Sequence, residues 1–424
     1  MSVFWIILTA GLVATSCALL GCFMVLRRMS MLGDAISHAV LPGIVIAFLV
    51  THSRASVPMF VGAAVLGILT TVVVQWLSRG GVQGDAAIGV TFTAFFAFGV
   101  LLVARFAGQV DLDLDCVLYG EIAYTPFDTW SLNGVVLGPR PVWINGGLLL
   151  LNGAFLVALY KELKLCSFDP ALAAALGLPV AVLHYALMAM VSITTVGAFE
   201  SVGAILVVAL LIVPAATAYL LTDRLERMLG IAVAIGCGSS VLGYYLARAL
   251  DGSIAGAIAA VAGICFTLTL LFSPSHGVVV KRVAQSRLRR RVADEDVLLW
   301  AGRAAEIAPP PGRTLADIGR ALEWLPAETS ETLRRLVSQS LLSESGGQFS
   351  LTTDGQARAT ELLRRHRVYE TYLGELGYPT DHLHAAADRV EHHLDPALTA
   401  AVAEAASHPT RDPQGKPIPP AASL

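Results

Sequence analysis

The sequence predicts an all-α polytopic membrane domain of eight or nine transmembrane helices, followed by a soluble α+β tail in which a winged-helix element precedes a helical region. Three observations carry that expectation. Of 424 residues, 55% are hydrophobic and only 14% charged, with a mean hydropathy of +0.67, outside the range of a soluble domain of this length. The apolar residues fall into nine runs, each near the ~20 residues needed to cross a hydrocarbon layer ~30 Å thick. Charge is uneven: residues 1–280 hold only 11 of the 29 Lys and Arg and 13 of the 32 Asp and Glu. The boundaries that follow are a membrane domain over 1–275, a basic juxtamembrane linker over 276–293, a winged-helix region over 294–355 and a helical region over 356–424.

The runs lie at 3–26, 31–50, 57–77, 86–105, 143–160, 180–198, 200–221, 228–248 and 254–272. Arg27 and Arg28, Arg79, Lys161 and Lys164, Arg224 and Arg227, and Lys281 and Arg282 follow the odd-numbered runs. The excess of positive charge on cytoplasmic loops then places the N-terminus outside and the C-terminus inside. Gly197, Glu200 and Gly203 interrupt the apolar stretch 180–221, and eight spans result if that stretch contains a re-entrant piece. The first run is too long for a cleaved signal peptide and reads as a retained span. All six cysteines (Cys17, Cys22, Cys116, Cys166, Cys237, Cys265) fall in the membrane half without a C-x-x-C pair, which makes them small apolar packers. The net charge of −3 points to no partner, because the two halves meet different solvents.

The stretch Gly33-Asp34-Ala35-Ile36-Ser37-His38-Ala39-Val40-Leu41-Pro42-Gly43 opens the second run with a carboxylate and an imidazole four residues apart, on one helix face. Pro42 has no N–H to give the carbonyl of His38, so a kink is expected there. Ionisable side chains inside a membrane are costly and usually functional. Asp34, His38 and the freed carbonyl offer a divalent cation a place to pause; a polar pair that packs helices together is the other reading. A rise of 1.5 Å per residue places Asp34 about 9 Å and His38 about 15 Å beyond Arg28.

Two connections are more than short turns. Segment 106–142 carries Asp111, Asp113, Asp115, Glu121 and Asp128; it reads as a solvated outward loop, with partner docking or concentration of cations as the alternative. Segment 167–179 reads as a short helix, with Pro170 in its first turn and Gly177 at its end.

Met29-Ser30 through Gly43, the Asp169–Gly177 loop, and Gly203-Ala204-Ile205-Leu206-Val207 through Leu211-Ile212-Val213-Pro214-Ala215-Ala216-Thr217-Ala218 together resemble the permease subunits of ABC importers for manganese, zinc and iron(II), over about residues 1–275. The resemblance implies a dimer of permeases served by two cytoplasmic ATPase subunits and an extracytoplasmic metal-binding protein. It implies that Asp34 and His38 line the translocation path and that Asp169, Pro170 and Gly177 belong to the loop seated in the ATPase. Pro42 and Pro214 are the expected points of helix bending. The chain has no G-x-x-x-x-G-K-[ST] phosphate loop, so ATP hydrolysis is expected on another polypeptide and the chain is not expected to be an enzyme.

Past the last run, residues 281–293 are basic, reading as an anchor to anionic headgroups or as an exposed linker open to proteolysis. Asp294–Ile307, Thr314–Leu322 and Glu328–Leu342 read as helices, and the Gly346-Gly347 pair turns a two-stranded wing. In that winged helix-turn-helix, Glu328–Leu342 is the recognition helix. Its Arg334 and Arg335 are offset by Glu328 and Glu331, a mix poorly suited to phosphate contact, so strong DNA binding is not expected. Helices over Asp354–Leu376 and His384–Leu394 follow. His366 and Glu370, and His384 and Asp388, are each four apart, with Glu391 and His392 one turn further on. Nitrogen and oxygen donors without a thiolate suit Mn²⁺ or Fe²⁺ better than a sulfur-rich zinc site; a solvated charged helix is the competing reading.

Leu351-Thr352 to Gly355, Arg365-His366-Arg367, His384 to Leu394, and His408-Pro409 through Pro419 resemble the diphtheria-toxin-repressor family of metal-dependent regulators, over about 294–420. The resemblance implies a primary metal site of Asp388, Glu391 and His392, with Asp296 as a fourth donor, and an ancillary site of His366, Glu370 and His384. Three positions depart from the family: Leu299 stands where manganese-type members often have a second carboxylate, Asp388 replaces the cysteine of iron-type members, and Gln414 replaces a usual histidine. The expectation from the whole chain is the permease of an ABC importer for Mn²⁺, or Fe²⁺ or Zn²⁺, in the cytoplasmic membrane of a bacterium, with a cytoplasmic metal-sensing tail. Its rivals are a membrane-tethered, metal-dependent transcription regulator released by cleavage of the linker, and a secondary transporter with a soluble appendage.

Overall fold

The computed structural model describes residues 2–29, 31–51, 56–106, 122–132, 135–307, 312–390, 392 and 396–421. The chain divides into two compact units, Met1–Val280 and Lys281–Leu424.

The first unit is built on α1 (Ser2–Leu26), α2 (Met31–Ala39), α3 (Leu41–Thr51), α4 (Ser56–Arg79), α5 (Gly84–Phe106), α6 (Arg140–Ala158), α7 (Tyr160–Phe168), α8 (Pro170–Ala175), α9 (Val180–Val202), α10 (Ala204–Leu221), α11 (Leu225–Leu250) and α12 (Ile254–Phe272). With α2 and α3 counted together, nine candidate spans among the described residues are long and apolar enough to cross a membrane. The 180–221 stretch resolves into two of them. Gly203 separates α9 from α10 at φ 80° and ψ 159°, a region only glycine enters at little cost.

The second span is broken as Pro42 requires. Helix α2 ends at Ala39, Val40 forms a turn, and the ladder resumes where the Ile44 amide donates to the Val40 carbonyl at 3.1 Å. Helix α10, by contrast, runs through Pro214 without a break.

Apolar burial does not drive helices together inside lipid; close packing and interhelical hydrogen bonds do. Helix α1 packs against α6, α9, α10 and α11. Gly21 lets it approach α10 so closely that a Cβ there would lie 1.8 Å from the Leu211 carbonyl oxygen. Asn152 of α6 donates to Ser16 Oγ of α1 at 2.6 Å and to Thr194 Oγ1 of α9 at 2.8 Å, tying three spans at a fully buried point. Gly21→Val is expected to destabilise this packing by about 3 kcal/mol or more and to remove the monodisperse peak in detergent size-exclusion chromatography. Gly11→Val, where a Cβ meets nothing within 4 Å, is expected to leave that peak intact.

The acidic residues Asp111, Asp113, Asp115 and Glu121 lie outside the described residues. The later part of that connection is not a plain loop: a 3-10 turn at Ile122–Tyr124 precedes an antiparallel hairpin of β1 (Thr129–Leu132) and β2 (Val135–Pro139). Clustered acidic residues masked the β-forming Thr129-Trp130 and Val135-Val136 steps, which lie on opposite strands: Thr129 and Trp130 face Pro139 and Gly138, and Val136 and Val135 face Ser131 and Leu132.

The second unit comprises α13 (Val278–Ile307, whose first three residues fall in the first unit), β3 (Arg313–Thr314), α14 (Leu315–Ala321), α15 (Pro326–Ser338), β4 (Leu342–Ser345), β5 (Gln348–Leu351), α16 (Thr353–Glu375), α17 (Thr380–Val390) and α18 (Pro396–Ala405). The wing is present as a three-stranded antiparallel sheet in the order β3-β5-β4, one strand more than the sequence indicates. Thr314 and Asp317 cap α14 reciprocally, the arrangement that satisfies amides at a helix start. The basic stretch 281–293 is helical throughout as part of α13, and residues 281–291 are exposed. Ile318, Leu333, Leu336, Leu342, Leu362 and Leu363 form the core with Val297 and Leu299.

Candidate metal centres

In the membrane unit, Asp34 and His38 project from one face of α2, with His38 Nε2 3.7 Å from Asp34 Oδ1. That distance is too long for a hydrogen bond. The side chains are 42% and 35% exposed, so the pair is half open rather than sealed into a helix interface. Ser37, one residue from His38, donates instead to the Asp34 carbonyl at 2.6 Å. The His38 ring sits 5.9 Å from the Phe92 ring and 6.0 Å from the Phe96 ring of α5. Nearby, α5 reaches Pro42 because Gly99 has no Cβ, which would lie 2.9 Å from the Pro42 Cδ. The break at Val40 and the close seat of Pro42 on α5 therefore fix the end of the helix that presents both donors.

Between α6 and α9 the polypeptide makes a compact exposed knuckle. Asp169 caps α8 by accepting from the Leu172 amide at 2.9 Å, Pro170 occupies the first helical turn, and Gly177 leaves the helix at φ 81°. Ala173 packs inward with Cys166 and Leu183. Phe168, Leu172 and Leu176 are 56%, 46% and 65% exposed, an apolar surface on a capped turn.

In the tail the predicted donors form two groups. The first joins α16 and α17. Glu370 Oε1 lies 3.1 Å from His366 Nε2 and 2.9 Å from His384 Nδ1, and the two imidazole nitrogens face each other at 3.0 Å. Asp388 reaches His366 Nδ1 at 3.4 Å and His384 Nε2 at 3.6 Å. One ligand atom each from His366, His384 and Asp388 lie within 4.8 Å of one another. Burial pushes the Glu370 carboxyl up, but the hydrogen bonds and charges of His366 and His384 outweigh it and hold the group at about 2, ionised at neutral pH. The Arg303 guanidinium lies 3.4 Å from Asp388 and offsets the negative charge gathered there.

The second group joins α13 to His392. His392 Nε2 lies 3.2 Å from Asp296 Oδ1, and its Nδ1 lies 2.9 Å from Glu295 Oε2. Glu391 lies outside the described residues. The contacts of Asp388 run to His366 and His384, so the structure groups it with His384, as their four-residue spacing does, and with the set from which the family resemblance separates it. The first group fits a divalent ion of the Mn²⁺, Fe²⁺ or Zn²⁺ kind, its imidazole nitrogens and carboxylates converging without a thiolate; in the second the described donors that face one another are His392 Nε2 and Asp296.

Glu295 is the residue that sequence reading missed. It is 4% exposed, and its Oε1 accepts from Arg291 at 3.0 Å and Arg358 at 3.1 Å. A carboxylate on the far nitrogen of a ligand histidine fixes its tautomer and orientation. The signal was the run Asp294-Glu295-Asp296, whose middle member is buried while Asp294 pairs with Arg335 and Asp296 takes the other ring nitrogen of His392. Leu299, the departure from manganese-type members, is a core side chain 5% exposed. The 408–419 motif has a structural part: Asp412 accepts from the Gln414 and Lys416 amides and pairs with buried Arg367 of α16 at 3.4 Å.

A bundle of candidate membrane spans with a half-open carboxylate–imidazole pair on a broken helix, followed by a unit with clustered histidine and carboxylate donors, defines a membrane transport subunit carrying a metal-responsive type of domain. Residues 2–273 match the ABC 3 transport family, and residues 352–420 match the iron dependent repressor, metal binding and dimerisation domain. The chain belongs to the ABC 3 transport family; it is a transport subunit, not an enzyme, and ATP is hydrolysed by a separate subunit. It is 51% identical over 289 residues to the manganese transport system membrane protein MntD of Bacillus subtilis, covering 68% of this chain and 98% of that one. It is 40% identical over 368 residues to the zinc transport system membrane protein TroD of Treponema pallidum, covering 84% and 97%. That second alignment is longer than the 280-residue membrane unit and so extends into the tail. Among solved structures, PsaBC from Streptococcus pneumoniae in complex with Fab aligns with a TM-score of 0.55 at 32% identity, over 65% of this chain and 93% of that one.

Proposed function

We propose that the chain is the membrane subunit of an ABC importer whose substrate is Mn²⁺, with Fe²⁺ and Zn²⁺ as competitors, and that Asp34 and His38 hold the ion in passage. The observation that carries this reading is the half-open pair itself, a carboxylate and an imidazole 3.7 Å apart on a span broken at Val40. Two protein donors are too few for a resident metal; water, the His38 carbonyl or a second permease protomer completes a weak site that releases its ion. The manganese and zinc transport relatives support this choice of substrate. The partners proposed are two cytoplasmic ATPase subunits, an extracytoplasmic metal-binding protein and a second permease, identical or paralogous. The setting is a bacterial cytoplasmic membrane with the C-terminus inside. Proteoliposomes containing the chain and its ATPase are expected to take up manganese only with ATP, and zinc and iron(II) to compete; uptake without the ATPase would show a secondary transporter instead.

The Asp169–Gly177 knuckle is the proposed seat of the ATPase, with Phe168, Leu172 and Leu176 as its apolar contact. Leu172→Asp with Leu176→Asp is expected to reduce ATPase co-purification at least about tenfold, since desolvating two new charges in an interface costs well over 1.4 kcal/mol, while the chain still inserts and folds. Undiminished co-purification would remove the knuckle from the docking surface. Pro42 and Pro214 are the proposed bending points.

The tail is proposed to sense cytoplasmic metal, through Asp296, Glu391 and His392 with Glu295 orienting the imidazole, and through His366, Glu370, His384 and Asp388. DNA binding is the weaker reading. Arg335, one of two arginines on the recognition helix, is held by Asp294 at 2.9 Å, and Arg334 bonds back to Ser330.

A further inference from the structure

Arg287, Arg290, Arg291 and Asp294 are spaced to share one face of α13. Together with Arg335 from α15 and Arg358 from α16 they line a solvent-open concavity of about 440 Å³, with Glu295 at its floor. Five guanidinium groups and two carboxylates line it, and two more carboxylates contact these arginines from beyond the lining: Glu361 accepts from Arg358 at 2.7 Å, and Glu331 lies 3.7 Å from Arg335, which leaves an excess of one positive charge. The carboxylates are already committed: Asp294 accepts from Arg335 Nε at 2.9 and 3.1 Å, and Glu295 Oε1 accepts from Arg291 and Arg358. Each guanidinium carries five N–H donors, so these contacts leave donors and net positive charge directed at the cavity. Arg287 is exposed, and Arg290, whose side chain is 63% exposed, lies 3.9 Å from Glu331.

Planar forks of this kind match the oxygens of a phosphate group. We propose that this concavity binds a phosphate-bearing anion, either a free phosphate compound or the phosphate of an anionic lipid headgroup. Its size suits one or two phosphate groups. Glu331 stands at the rim with its side chain 65% exposed and would repel the continuous charge of a nucleic-acid backbone. The lipid source follows from chain position: Arg287 is fifteen residues beyond Phe272, the last residue of the final candidate span, and polybasic segments beside spans attract anionic headgroups. The site shares Glu295 with the His392 group, Oε1 facing Arg291 and Arg358 and Oε2 facing His392, and its test is run without metal, so its outcome does not depend on metal binding.

The full-length protein, purified lipid-free in detergent, is titrated calorimetrically with inorganic pyrophosphate. In parallel it is placed in nanodiscs of phosphatidylcholine with or without phosphatidic acid, and amide exchange across residues 283–298 is followed. Binding in the first arm assigns a free phosphate ligand, and protection that requires phosphatidic acid assigns a lipid headgroup. In either case R287Q/R290Q is expected to weaken the effect at least tenfold. Both side chains are exposed, and unchanged circular dichroism and thermal unfolding establish that the variant still folds. No effect in either arm, or an effect the double substitution leaves unchanged, overturns the proposal. A short DNA duplex that binds more tightly than pyrophosphate and loses binding in the same variant overturns it in favour of nucleic acid.

Discussion

Asp34→Asn is expected to reduce manganese uptake by more than tenfold in proteoliposomes that contain the ATPase, while co-purification with the ATPase stays at the wild-type level. Asparagine keeps the size and a carbonyl oxygen but removes the negative charge, the strongest attraction available to a dehydrating divalent ion in a low-dielectric span. Loss of an outer partner of a metal ligand already costs about 10–100-fold in affinity, and a direct donor is worth no less. The substitution leaves packing alone, because the side chain is 42% exposed and stands 3.7 Å from His38, beyond hydrogen-bond reach. His38→Gln is expected to have a smaller effect and to shift the competition among manganese, zinc and iron(II), since imidazole contributes more to preference than to charge. Near-normal uptake by Asp34→Asn would return the pair to a packing role.

His392→Ala is expected to remove one of two phases when manganese is titrated into the full-length protein, and to relieve inhibition of uptake at high internal manganese. His392 links Asp296 on one ring nitrogen and Glu295 on the other, so its loss dismantles that donor group while the His366, Glu370, His384 and Asp388 cluster stays assembled. The remaining phase is therefore expected to keep its affinity within about threefold, as independent sites should. Retention of both phases would mean that the His392 group is a buried structural network, and unchanged inhibition would detach the tail from control of transport.

The two halves of the chain were legible to different degrees. The nine apolar runs correspond closely to the candidate spans, because a lipid-crossing helix must be apolar along its whole length and short runs do not suffice. Legibility weakened wherever one residue altered the path. Pro42 announced its break in sequence, whereas Pro214 carries the same residue type and lies within the continuous helix α10. Gly203 was an ambiguous interruption until its positive φ identified it as the junction of two spans. Thr129–Pro139 was hidden as a hairpin by its acidic surroundings, and 281–293 read as a linker because basic composition reports solvation and is silent on helicity.

The sequence alone determined the division into membrane and soluble halves, the spans, the placement of Asp34 and His38 on one face, and the histidine and carboxylate types gathered in the tail. These follow from hydrocarbon thickness and from helical periodicity, both local properties of a chain. Only the tertiary structure decided which donors meet: that Asp388 and His384 close on His366, that Glu295 stands behind His392, and that five arginines from three helices share one concavity. Those pairings depend on how separate helices cross, and residues up to 97 positions apart, as Glu295 and His392 are, come together through packing that spacing within a helix does not encode.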